Sequence, residues 1–251
     1  MSIDRRIVSV FAPSGKLRPA INLGNPVLAY VDPIRGQPLG VSVDIAAAFG
    51  RRLQVEVEYL PFNTAGEAVN AVAEDRADIG FFAVDPHRGE RIQFTSPYVL
   101  IEGSYLVRED SSTRLNEEVD RKGNVVVVGE RSAYDLYLSR ELEHARIARA
   151  PASPAVVDFF VEIKADVAAG VRQQLEADAS RIPGLRLLEG QFMVIQQAMG
   201  ISKSHGPEAA EFLNRFVEEI KASSFVAQAL AVHRIEGAKV AALSDLKPSP
   251  A

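Results

Sequence analysis

Ile79 to Val84 is a near-continuous apolar run bounded by Asp78 and Asp85. That pattern predicts a strand covered on both faces, as in a parallel sheet, rather than a half-exposed one. Upstream the period changes: Ile45, Phe49 and Leu53 recur at every fourth position, which predicts a helix from about Val43 to Leu53. Val55, Val57 and Tyr59 alternate with Glu56 and Glu58, the period of a half-buried strand. A second helix is predicted from about Ala65 to Glu74, burying Ala68, Val69 and Val72. Lys16 to Leu23 predicts a first strand, with Pro19 confining it to an edge or a strand start. The order strand, helix, strand, helix, strand implies right-handed crossovers and a parallel sheet.

The same alternation resumes further along. Val99 to Val107 is strand-like, Arg108 to Gly123 is polar and turn-rich, and Val125 to Val128 is a core strand of four valines. Ser132, with Asp135 three residues on, predicts a capped helix carrying Leu136, Leu138 and Leu142. Ile147 to Arg149 and Leu185 to Leu188 are short strands, and Ser153-Pro154 starts a helix through Val157, Phe160 and Val161. Val171 to Asp178 is helical, and Phe192 to Ile201 is a strand whose apolar run is interrupted by Gln196-Gln197. Pro207 to Ala222 and Phe225 to Val232 predict closing helices, and the tail from about Ser244 is expected to fray.

Candidate chemistry gathers where the first apolar strand stops. Asp85 stands at a helix N-cap position and Pro86 at the first helical position. A helix starting at the carboxyl end of a parallel strand points free N–H groups into the space above the sheet. Arg88 in that first turn adds a guanidinium, so the spot suits an anion, and for a small solute a carboxylate held bidentately. Read alone, Arg88 is equally a solvated surface residue beside an ordinary cap. Ser132 repeats the device at the end of the valine strand, with Arg131 and Tyr134 beside it.

The order Asp78, Pro86-x-Arg88 and Phe94-Thr95-x-Pro97-Tyr98, together with Gly40-Val-Ser-Val-Asp44-Ile-Ala, resembles the family 3 extracellular solute-binding proteins. These are the polar amino-acid receptors of ABC importers, and the resemblance covers roughly Leu17 to Ile235. It implies an α/β fold of periplasmic binding protein type 2: two Rossmann-like lobes joined by a two-strand hinge. Lobe one would be residues 1–100 and 196–251, and lobe two 101–195. A ligand would bind between them and favour the closed form. By the same resemblance Arg88 clamps a carboxylate and Ala83, Asn25 and Ser132 are candidate ligand contacts; Arg131 and Tyr134, beside Ser132, and Asp158, as an acid that could face the ligand, are further candidates. Asn25 also reads as a turn residue before Pro26.

Three departures bear on the ligand. The family's hydroxyl five residues before the clamp arginine is Ala83, leaving its backbone. Ala65 or Gly66 stands near the place of a stacking aromatic, and Gly170 and Val171 stand where the amino-acid receptors carry an Asp that pairs the ligand's ammonium. An uncompensated buried ammonium costs several kcal/mol. Either another acid, Asp158 or Glu130, supplies the charge, or the ligand lacks an α-amino group. Arg131 would suit a second anionic group.

The 251 residues carry a net charge of −5, with Lys and Arg dispersed among acids, which argues against a nucleic-acid surface. No cysteine is present, so thiolate chemistry is excluded. The four histidines stand in no metal-ligand spacing, and no cofactor or metal is expected. Arg5 and Arg6 before Ile7 to Ala12 form no convincing export signal, because the apolar stretch is too short. The resemblance implies a monomeric receptor in the periplasm, partnered by an importer's membrane subunit. Two alternatives stay open: a cyclohexadienyl dehydratase-like enzyme with Glu102, Glu130 or Asp158 as proton donor, or a cytoplasmic or sensory binding module.

Overall fold

The computed structural model describes residues 4–244. The tail expected to fray beyond Ser244 lies outside the described residues, as do the first three. One sheet runs through the whole molecule, in the order Arg146–Ala150, Val125–Gly129, Val167–Val171, Ile92–Arg108, Met193–Ser202, Ile79–Ala83, Pro19–Asn22, Leu60–Phe62. Leu185–Leu187 and Lys239–Val240 also pair with the central Ile92–Arg108 strand. The outer strands on each side are mutually parallel, as their helical crossovers require.

The two central strands are long and antiparallel, and they carry the chain from one half to the other and back. The first half of the Ile92–Arg108 strand lies with the Pro19–Asn22 and Ile79–Ala83 group. Further along, its residues 103–106 pair with residues 168–171 of the other group. The molecule therefore has two lobes that share this pair. Each lobe has a core of its own: Ala20, Ala68, Val72 and Phe82 in one, Val127, Phe160 and Leu175 in the other. A third, larger core runs across both. Pro97 would be out of place in a central strand, but the pairing slips beside it, between Gln197 and Ala198 and again before Gly200.

Most predicted elements recur with shifted ends. The Val41–Leu53 helix buries Ile45, Phe49 and Leu53, and the Ala65–Ala73 helix opens on a capping box between Thr64 and Glu67. Two expectations fail locally. The alternating strand at Val55 to Tyr59 reduces to Glu56–Val57, which pairs with Lys16–Leu17 outside the main sheet, and the sheet strand is Leu60–Phe62. The helix expected after Asp85 is a single 3-10 turn, Arg88–Glu90. Arg88-Gly-Glu-Arg91 offers no apolar face to pack, so nothing propagates the nucleus that Asp85 caps.

The Arg5–Phe11 helix is docked rather than free: Phe11 meets Phe49 edge-on at 4.9 Å, and Phe49 meets Phe216 at 4.9 Å. At the other end a buried ion pair anchors the chain. Lys221 Nζ lies 2.7 Å from Glu218 Oε1 and donates to the carbonyls of Pro97 and Ala242. Glu218 also accepts from Ser96 Oγ and from the Ser244 N–H.

Burial alone would raise the Glu218 carboxyl, but Lys221, Ser96 and Ser244 outweigh it and hold the pKa below the usual glutamate value. A depressed carboxyl contributes stability that is complete above its unfolded value and is lost as pH falls through the folded one. Glu218→Gln should therefore cost about 3 kcal/mol at neutral pH by breaking a buried pair. In urea melts, the gap between wild type and variant should close as the pH falls below the usual glutamate range. A second constraint sits at Gly129, where an added Cβ would come within 2.8 Å of Ser153 Cα and N. Gly129→Ala should lower stability by about 1–3 kcal/mol in the same assay.

Candidate functional site

The carboxyl end of the Ile79–Ala83 strand and the start of the Ala133–Glu141 helix face each other across the gap between the lobes. Between them lies a small cavity of about 40 Å³, lined among others by Asn25, Ala83, Arg88, Ser132, Tyr134 and Gln197. Five of the seven residues singled out from the sequence thus meet in one place. Arg88 is 5% exposed. Its Nη1 donates to the Ala83 carbonyl at 3.2 Å, and its Nη2 crosses the gap to the Arg131 carbonyl at 2.9 Å.

The 3-10 turn keeps the guanidinium in place but not the free N–H donors expected of a longer helix, because the N–H groups of residues 87–90 are all paired. Asp85 Oδ1 accepts from the His87 N–H at 2.9 Å and the Arg88 N–H at 3.4 Å, which fixes the backbone from which the guanidinium projects. Asp85 Oδ2 lies 2.9 Å from Arg140 Nη2 on the opposite lobe. Two contacts therefore bridge the lobes at this turn, one from Arg88 and one from Asp85. Burial draws the Arg88 guanidinium down to about 10, with Asp85 opposing the shift, so it is charged at neutral pH.

On the facing side, Ser132 Oγ accepts from the Asp135 N–H at 3.0 Å and caps its helix as predicted. That helix presents its unpaired first-turn N–H groups beside the cavity. Burial pushes the Tyr134 phenol up to about 12, against hydrogen bonding with Ser153, Ser132 and Gly129, so the ring enters as a neutral wall. Asn25 Oδ1 is buried at the cavity with no hydrogen-bond partner. Ala83 takes part through its carbonyl, which holds Arg88.

Arg131 and Asp158 are placed elsewhere. Arg131 gives the cavity only the carbonyl that receives Arg88. Its side chain packs where a Cβ on Gly66 would be, beside a second cavity of about 290 Å³ that it lines together with Arg88, Val69, Asn70 and His87. Its backbone is left-handed, φ 56°, and its N–H donates to Asp135 Oδ2 at 2.8 Å. Asp158 is exposed on the far side of its helix and pairs with Arg181 at 2.8 Å. Glu130 is exposed and Glu102 pairs with Arg172 at 2.7 Å, so none of the proposed acids lines the cavity.

Residues not singled out also contribute. Gln197 sits at the strand slip and is aimed into the cavity from the crossing strand, where the break in the apolar run was its one signal. Ser153 is brought there by the close approach that Gly129 permits, which nothing local in the sequence announces. Phe82, Val171 and Ile195 add apolar surface to the walls, and Asn22 adds a further polar amide.

Among the described residues, no helix is long and apolar enough to cross a membrane and no group of His, Asp and Glu could hold a metal ion. A comparison with curated proteins finds no match. Among solved structures, a mutant of ArgBP from T. maritima is 22% identical, with 92% of this chain and 100% of that chain covered and a TM-score of 0.75. The cysteine-binding protein from Campylobacter jejuni is 18% identical over 90% of this chain and 92% of its own, TM-score 0.76. The ancestral amino acid-binding protein AncCDT-1, a precursor of cyclohexadienyl dehydratase, is 19% identical over 90% of this chain and 98% of its own, TM-score 0.75. At such identities the likeness establishes the fold, that of the type 2 periplasmic binding proteins. The model of one family matches residues 17–231, and the chain accordingly belongs to the bacterial extracellular solute-binding proteins, family 3.

Proposed function

We propose that the chain is a receptor that closes its two lobes on a small carboxylate and delivers it, in the periplasm, to the membrane subunit of an ABC importer. One observation carries this reading. The Arg88 guanidinium is buried between the lobes, and its direct partners are two main-chain carbonyls rather than a carboxylate. A buried charge without an opposite charge in contact costs several kcal/mol, which an anion in the adjoining cavity would offset. A carboxylate fits best, because the remaining guanidinium donors can hold it in two parallel hydrogen bonds. The first-turn N–H groups at Ser132 suit the same charge from the opposite lobe.

The amino-acid-binding neighbours support a ligand of amino-acid size, whether an amino acid or a related organic acid. The dehydratase precursor among them gives turnover some standing as a second reading. It would need a carboxylic acid facing the cavity to protonate a leaving hydroxyl. Glu102, Glu130 and Asp158 are each directed elsewhere, which favours binding without chemistry.

Ligand that binds only the folded form adds about 2.7 kcal/mol of stability at a hundredfold excess over Kd. A thermal-shift screen over amino acids, dicarboxylates and aromatic acids should find at least one that raises Tm, and Arg88→Ala should abolish that rise while keeping the native circular dichroism. An undiminished rise would remove Arg88 from the site. The Arg140 to Asp85 bridge is half exposed on the Arg140 side, so it should contribute about 0.5–1 kcal/mol to closure. Arg140→Ala should then weaken ligand binding roughly two- to fivefold and enlarge the radius of gyration in small-angle scattering without changing Tm by more than a few degrees.

A further inference from the structure

The cavity at Arg88 continues into a second, smaller one of about 10 Å³, and the two share Asn25, Tyr134, Ser153 and Val171 as common walls. The inner cavity is charged at one point only, the Arg88 guanidinium; none of the residues lining it is acidic. The extension is mainly apolar, formed by Val156, Val157 and Leu175, all buried. Asp178 borders that extension, but its carboxylate is already occupied by Arg181 at 2.9 Å and Gln174 Nε2 at 3.0 Å. At the junction, Asn25 Oδ1 is the buried acceptor without a donor.

Resting on the receptor reading above, the geometry points to a carboxylic acid without an amine, specifically a 2-hydroxy acid with a short aliphatic side chain. The carboxylate meets Arg88. The hydroxyl donates to Asn25 Oδ1, and the aliphatic end lies against Val156, Val157 and Leu175. An α-ammonium in the same place would be desolvated beside a guanidinium of like charge, with no carboxylate in the cavity to balance it. A hydroxyl is cheaper to bury, and it supplies the missing donor to Asn25, whose carbonyl would otherwise carry a desolvation penalty in the closed form. The discriminating feature is therefore the uncharged wall at Val171 and Asn25, opposite the clamp.

Matched ligands that differ only at the 2-position test this by titration calorimetry at neutral pH: 2-hydroxy-3-methylbutanoate against valine, and 2-hydroxypropanoate against alanine. In the wild-type protein the hydroxy acid of each pair should bind at least tenfold tighter than the amino acid. Val171→Asp places a carboxylate on the shared wall and should reverse the order. Asn25→Asp, which keeps shape and volume, should move it the same way even if the Val171 variant fails to fold. Equal or tighter binding of the amino acids by wild type overturns the ligand assignment and leaves the receptor reading intact. Binding of neither class also overturns the ligand assignment, whereas the receptor reading falls only if no acid of the wider thermal-shift screen binds in an Arg88-dependent way.

Discussion

A guanidinium is an expensive group to bury, and in this protein one is buried at the seam between two lobes. Arg88 is positioned from below by the Asp85 turn and crosses the gap to the Arg131 carbonyl, so both halves of the molecule contribute to holding it. The same turn sends Asp85 to Arg140 on the other lobe. The arrangement couples charge to shape. On the proposed reading, opening the lobes would return Arg88 to water and break both bridges, and closing them would remove it from water and demand that its charge be met. An anion that enters between the lobes lowers the cost of the closed form selectively, which is what a ligand must do to shift such an equilibrium.

The central strand pair makes that coupling mechanically possible. A sheet continuous through both lobes could resist relative motion, but here the lobes share only two long strands, and the pairing between those strands slips at Pro97 and Gln197. The slip interrupts the ladder and places Gln197 at the cavity in the same step. The local irregularity and the Gln197 lining of the candidate site thus have one cause, as is common for bulges beside functional sites. The separate cores around Phe82 and Phe160 hold each lobe's outer strands and helices together, while the larger core packs along the shared pair.

Much of this was legible in the residues. The all-apolar run from Ile79, the helices with apolar residues at every fourth position and the Ser132 cap each encode their structure locally, and each appears close to where its pattern put it. Asn25, Ala83, Arg88, Ser132 and Tyr134 come together because strand ends and helix starts are marked by caps and prolines that the sequence displays. The helix after Asp85 was overestimated for the converse reason: a good start signal was present without an apolar face to sustain it. Asp158 could not be placed from sequence, because on a short amphipathic helix the choice of outward face depends on what packs beneath, here Val156, Val157 and Phe160. Arg131 is placed differently: its side chain lines, with Arg88, the cavity of about 290 Å³. Only its main chain borders the smaller cavity, and a left-handed backbone at a non-glycine residue has no sequence pattern to betray it.

The contrast between Arg88 and Asp85 decides how the site should be understood. Both are buried, both carry charge and both reach toward the other lobe, yet Asp85 has found its counter-charge in Arg140 while Arg88 contacts only carbonyl dipoles. A site whose purpose was structural closure would pair both, since an unpaired buried charge lowers stability without adding contacts. Leaving one cation half-satisfied beside a cavity makes sense if the partner arrives from outside. On the proposed reading, the stability forgone in the empty closed form would become the affinity available to the ligand, and the neutral walls at Asn25, Tyr134 and Val171 would determine which part of that ligand must be uncharged.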